Sequence, residues 1–148
     1  MSNLINPDGA GKRRDRLVRS LVLALRELAG HKRVTQETRD LVAFLVMALH
    51  QVDGTIDETC LAWEKRDYWI KADQFRQQWA WTAPAAKKLE QAVLEDKWQL
   101  IPEVVPEVAR HLSNVTLPKR NTIGEPWRGA HAALLQKRER LRAAERRG

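Results

Sequence analysis

The chain has 148 residues, 43% of them hydrophobic and 30% charged, and a formal net charge of +7. That is the size of one ordinary domain with enough apolar material for a core, and the balance excludes a disordered chain. The central apolar run Leu41–Leu49 is too short for a bilayer span of roughly 20 residues, and the single cysteine, Cys60, excludes an internal disulfide framework.

Seven Gly and six Pro among long runs of Ala, Leu, Glu, Lys and Arg predict an all-α fold, a single-domain bundle of five or six helices with a long central helix and a basic C-terminal helix. The start, MSNLINPDGAGKRRDR, lacks the basic-then-apolar order and small-residue cleavage site of a secretory signal, so a reducing cytoplasm is the expected location. Charge is unevenly spread. Residues 1–33 carry eight basic against three acidic groups, residues 34–116 nine against thirteen, and residues 117–148 nine against three. Basic ends around an acidic middle either bind a polyanion or dock on that middle.

In chain order, residues 1–10 read as an irregular lead with Pro7-Asp8-Gly9 as a turn. A first helix follows from about Gly11 to Ala29. Leu17, Leu21, Leu25 and Leu28 fall on one face, Lys12, Arg16, Arg19 and Arg26 on another, and Gly30 stands as C-cap. Gly9-Ala10-Gly11-Lys12 lacks the spacing, the following Ser or Thr and the preceding strand of a phosphate loop. Thr35 opens the second helix, with Glu37 or Thr38 supporting its first turn. Its wide apolar arc runs through Leu41, Leu45, Leu49, Val52, Ile56 and Trp63. Gly54 inside it predicts a close helix crossing or a slight bend.

Six of the nine aromatic residues fall between Trp63 and Trp81. Read as one helix, this stretch carries Leu61, Tyr68, Ala72, Phe75 and Trp79 on one face, with Trp63, Ile70 and Trp81 nearly opposite. Two apolar stripes imply two packed neighbours; a break near Glu64–Asp67 would reset the phase and explain them equally well. Thr82 and Pro84 predict a restart, with Thr82 as cap and a helix to about Trp98 that Ile101-Pro102 ends. A short helix around Pro106–Leu112 follows. The expected organisation is a bundle core over 1–113, an extended arm over 114–126 pinned by Leu117 and Ile123, and a basic helix over 127–148. That helix opens at Pro126 and carries a seam of Trp127, Ala130, Leu134 and Leu141.

Candidate chemistry is sparse. His50, Asp53, Asp57 and Glu64 share a helical face and form a candidate metal set, but a helical carboxylate site needs matching ligands on neighbouring helices. Glu27–His31 and Glu107–His111 are spaced by four and do not supply the Glu-x-x-His pattern. Cys60 beside Ile56 and Trp63 reads as a buried small residue. His31, His50, His111 and His131 fall on separate helices, and with three serines no nucleophile–base–orienter set can be assembled. The C-terminal helix has too few large apolar residues for firm insertion into a membrane surface.

The expectation is therefore a non-enzymatic interaction protein without a cofactor, docking on a protein partner or a second copy through Trp63, Trp69, Ile70 and Trp81. The alternative is a sequence-nonspecific nucleic-acid or ribonucleoprotein component. It would use Arg13, Arg16 and Arg19 on the first helix and Lys137, Arg138, Arg140 and Arg142 on the last.

Overall fold

A computed structural model describes residues 7–147 as six α-helices and one 3-10 turn. Helix α1, Pro7–Ala29, starts four residues earlier than expected. Pro7 is its first residue rather than part of a turn, because proline's fixed φ and missing N–H suit the first helical turn. Positions 1–6 of the expected lead lie outside the described residues. Helix α2, Gln36–Glu64, has the predicted cap. The Thr38 amide donates to Thr35 Oγ1 at 3.2 Å and the Thr35 amide to Thr38 Oγ1 at 3.1 Å, which satisfies two otherwise orphaned donors.

Between Leu41 and Leu49 α2 is buried almost all round: Leu41, Val42, Ala43, Leu45, Val46, Ala48 and Leu49 are all in the core. A helix that is apolar on every side must be enclosed. The enclosing elements are α1, α3 (Trp69–Gln78), α4 (Thr82–Leu94) and α6 (Ala130–Arg147), all packed on α2. Gly54 does not mark a close crossing. It is exposed, and a Cβ built there meets nothing within 4 Å.

The open question of residues 63–81 resolves as a break. Lys65–Asp67 form a turn in which Asp67 takes φ 62°, a left-handed geometry that Asp tolerates better than most residues. Thr82 is not the cap of α4. Trp81 occupies that position, and the Thr82 hydroxyl donates back to the Trp79 carbonyl at 2.9 Å. Helix α4 stops at Leu94 rather than Trp98, because Asp96 adopts φ 56° and its carboxylate accepts the Trp98 indole N–H. After the 3-10 turn Trp98–Leu100, Ile101-Pro102 opens α5 (Ile101–His111) instead of ending a helix. The reason is again proline in a first turn.

The arm crosses α1. Leu117 packs against the core, and Asn121 Oδ1 accepts from the amides of Ile123 and Gly124 at 2.9 and 3.0 Å. The last helix begins at Ala130, not Pro126. Gly129 at φ 76° separates the Pro126–Gly129 turn from it, a conformation that glycine adopts without strain. The cap of α6 comes from another element: Asp40 of α2 accepts the His131 amide at 3.0 Å and the Gly129 amide at 3.4 Å. With Trp127, Ala130 and Leu134 buried, this fixes the first half of α6, while Leu141 in the second half is exposed. Asp40→Ala should therefore cost about 1 kcal/mol, the usual value of a lost cap. Amide hydrogen exchange should accelerate at the start of α6; unchanged protection there would show that the cap contributes nothing.

Candidate functional site

The aromatic residues gather at one end of the bundle as a ladder. Trp63 meets Phe75 edge to face at 5.1 Å and Phe75 meets Trp79 at 6.4 Å. Trp79 stacks on Trp81 at 6.1 Å, and Trp81 on the His111 imidazole at 4.4 Å with the rings nearly parallel. Lys71 Nζ sits 4.4 Å over Trp63, and the Arg14 guanidinium 4.8 Å over Phe75. Each aromatic pair adds about 0.5–1.5 kcal/mol beyond its buried area. The ladder thus ties the end of α2, the second half of α3, the start of α4 and the end of α5 together.

This geometry overturns the two-stripe picture. Trp63 and Phe75 would point apart and lie about 18 Å from each other along a continuous helix, yet they touch, because the turn at Lys65–Asp67 folds α3 back onto α2. Trp63 and Trp81 are half-buried members of the ladder. Trp69 and Ile70 are not. They stand outside it, 59% and 76% exposed, beside Tyr68 at 52%, with Leu61 of the last turn of α2 at 44%. Among the described residues six large hydrophobic side chains are this exposed, and four of them belong to this corner. Lys65, Arg66 and Lys71, all exposed, flank it. Tyr68 and Leu61 were not nominated for docking because the unbroken-helix reading placed both on the face opposite Trp63, Ile70 and Trp81.

Behind the corner lies a polar belt. Arg76 donates to both carboxylate oxygens of Glu64, at 2.6 and 3.2 Å, and comes within 3.7 Å of Asp57. The hydrogen bond from Arg76 holds the Glu64 carboxyl below the usual carboxylate range, and the same bond holds the guanidinium proton more tightly. The sign follows. The contribution of a depressed carboxyl is present above its ordinary range and is lost as pH falls through the folded value. Arg76→Gln should return Glu64 toward the ordinary range, as an upward move of its midpoint in an NMR carboxyl titration. An unmoved midpoint would assign the depression elsewhere.

Arg14, on the opposite wall, donates to Thr59 Oγ1 at 3.2 Å and to the Thr55 hydroxyl and carbonyl at 3.4 Å. Desolvation lowers its pKa. Cys60 lies between these groups with no exposed surface; its thiol donates to the Ala72 carbonyl at 3.3 Å, and burial pushes its pKa up. A raised thiol without access is a packing residue, not a nucleophile.

The other nominated side chains are distributed. The metal set is not assembled: His50 faces Glu90 of α4 at 3.7 Å, Asp53 is exposed, and Asp57 and Glu64 share Arg76. Glu27, His31 and Glu37 do converge, with the imidazole 3.9 and 3.8 Å from the two carboxylates at the α1–α2 connection. Both glutamates are exposed. Arg13 is paired with Glu58, whereas Arg16 and Arg19 are exposed along α1. On α6, Arg138 is half-buried and donates to the Leu94 carbonyl at 3.4 Å. Together with Arg142 it lines a hollow shared with Glu90 and Glu95. Lys137 and Arg140 are exposed.

No protein-family model, no curated protein and no solved structure matches the chain. The function must be argued from these side chains alone.

Proposed function

We propose that the chain is a non-enzymatic docking protein whose α2–α3 corner seats in an apolar groove of a protein partner. One observation carries this reading: Leu61, Tyr68, Trp69 and Ile70 are exposed together, in a molecule that encloses most of its other large apolar side chains. Trp and Tyr are the residue types that anchor interfaces, because they combine large contact area with few rotatable bonds. The ladder beneath supplies a rigid base, so little ordering is required on docking. The basic rim of Lys65, Arg66 and Lys71 fits a partner whose groove is edged with carboxylates.

The same rim disfavours a second copy. At this corner the exposed cations Lys65, Arg66 and Lys71 outnumber the exposed carboxylates Asp67 and Asp73, so a two-fold pairing brings together two surfaces of net positive charge, which costs free energy. Sedimentation at micromolar concentration should therefore report a monomer. Capture from extracts of the native host, with the chain as bait, tests the reading. A protein retained by the wild type and by Leu141→Ala, and released by Trp69→Ala with Ile70→Ala, supports it. Retention by all three forms would move the interface elsewhere.

A further inference from the structure

A second surface lies away from the aromatic corner, where the arm runs over α1. Between α1 and α2 is a hollow of about 630 Å³ whose lining includes Arg16, Ser20 and Phe44, together with Glu58, whose charge Arg13 neutralises. It shares Arg16 and Ser20 with a second hollow of about 440 Å³, closed on its far side by Pro118, Thr122 and Ile123 of the arm. A third, of about 140 Å³, continues the line past Arg26, Lys119 and Arg120. The three form one groove along α1. From Arg16 to Arg26 it runs about 15 Å at the helical rise.

Five cations edge this groove: Arg16, Arg19 and Arg26 from α1, Lys119 and Arg120 from the arm. All five are exposed, and among the described residues none has a carboxylate within salt-bridge distance. What sets these five apart from the other unpaired cations of the described residues is their place: they converge from α1 and the arm on one concave line. Cations left unpaired along a line keep a positive potential that a chain of phosphates would neutralise. Half-buried Phe44 on the groove wall offers a face on which one base can stack.

We infer that this groove binds the phosphodiester backbone of a single-stranded nucleic acid, without regard to sequence. Its concavity, walled by the arm, disfavours a flat lipid surface, and the face of Phe44 suits a single strand, whose bases are free to stack, better than a duplex. The α6 arginines are secondary, because the hollow that Arg138 and Arg142 line carries two carboxylates, Glu90 and Glu95, beside Lys87. The inference is independent of the docking corner.

The test is fluorescence anisotropy of the full chain with labelled single-stranded RNA, single-stranded DNA of the same sequence, and the matching duplex, from about 50 to 200 mM salt. Vesicles containing phosphatidylserine serve as a fourth ligand. Three to five phosphate contacts give a slope of log affinity against log salt of about −2 to −3.5 for a single strand. Arg16→Gln with Arg19→Gln and Lys119→Gln should weaken single-strand binding tenfold or more, while Arg140→Gln with Arg142→Gln stays within twofold. Trp69→Ala with Ile70→Ala should leave it unchanged. RNA and DNA strands binding alike, or one preferred, both support the groove and differ only in which strand is the natural one. No single-strand binding at the lowest salt would overturn it. So would a tighter duplex, binding to vesicles alone, or an equal loss in the α6 variant.

Discussion

The double variant Trp69→Ala, Ile70→Ala is expected to bind the partner at least tenfold more weakly while unfolding at the wild-type denaturant midpoint. The two halves of that result come from one fact, the exposure of both side chains. Truncating an exposed residue removes little native packing, so stability should stay within about 0.5 kcal/mol. Truncating an interface anchor costs about 2 kcal/mol or more, close to thirtyfold in affinity. Trp79→Ala gives the reverse pattern. Trp79 lies between Phe75 and Trp81 in the ladder, so its loss should shift the denaturation midpoint. Binding measured where that variant remains folded should fall less than in the double variant. If instead Trp69→Ala, Ile70→Ala unfolds the protein, the corner is core and the docking reading loses its support.

Leu45→Ala should produce the largest loss of stability of any change considered, about 3 kcal/mol. Leu45 is fully buried in the first half of α2, with α1, α4 and α6 around that helix, so the walls can collapse only partly into the space left. For a domain of this size that is a fall of roughly 6–12 °C in melting temperature. The denaturant midpoint should move with the slope unchanged, because the surface exposed on unfolding is nearly the same. Leu141→Ala is the control. That side chain is exposed on α6 and its loss should be almost silent. Equal effects at the two positions would mean that α2 is not the axis of the fold.

How much of this was legible in the residues depends on which physical signal each feature leaves. The all-α bundle, the Thr35 cap, the central second helix and the buried Cys60 all rest on periodicity or on local hydrogen bonding, and the sequence carries both. The failures share a cause. Asp67 and Asp96 end helices by taking positive φ, and nothing in an isolated aspartate announces that conformation. With a break near Glu64–Asp67 held as only one of two readings, the docking residues were chosen on the continuous phase through 63–81, which set Trp63 apart from Phe75 and left Tyr68 and Leu61 out of the docking set. Pro7 was read as part of a turn and Pro102 as the end of a helix, although each sits in a first helical turn. Composition alone does not separate those two uses of proline.

The candidate surfaces divided along the same line. Trp69 and Ile70 were nominated for docking and are exposed; Trp63 and Trp81 were nominated with them and lie in the ladder. Counting arginines singled out both terminal helices. Only the fold places Asp40 at the cap of α6, seats Arg138 and Arg142 in one hollow with Glu90 and Glu95, and lays the arm with Lys119 and Arg120 along α1. These are long-range placements, with partners some 44 to 91 positions apart in the chain, and no local pattern encodes them.

The most direct measurement is site-specific photo-crosslinking in the native host. A photoreactive residue is placed at Ile70 in one form and at Ala133, exposed on α6, in another. Docking through the α2–α3 corner predicts one discrete protein adduct from position 70, weakened by adding Trp69→Ala, and none of comparable yield from position 133. No adduct from position 70, or the same adduct from both positions, would contradict it.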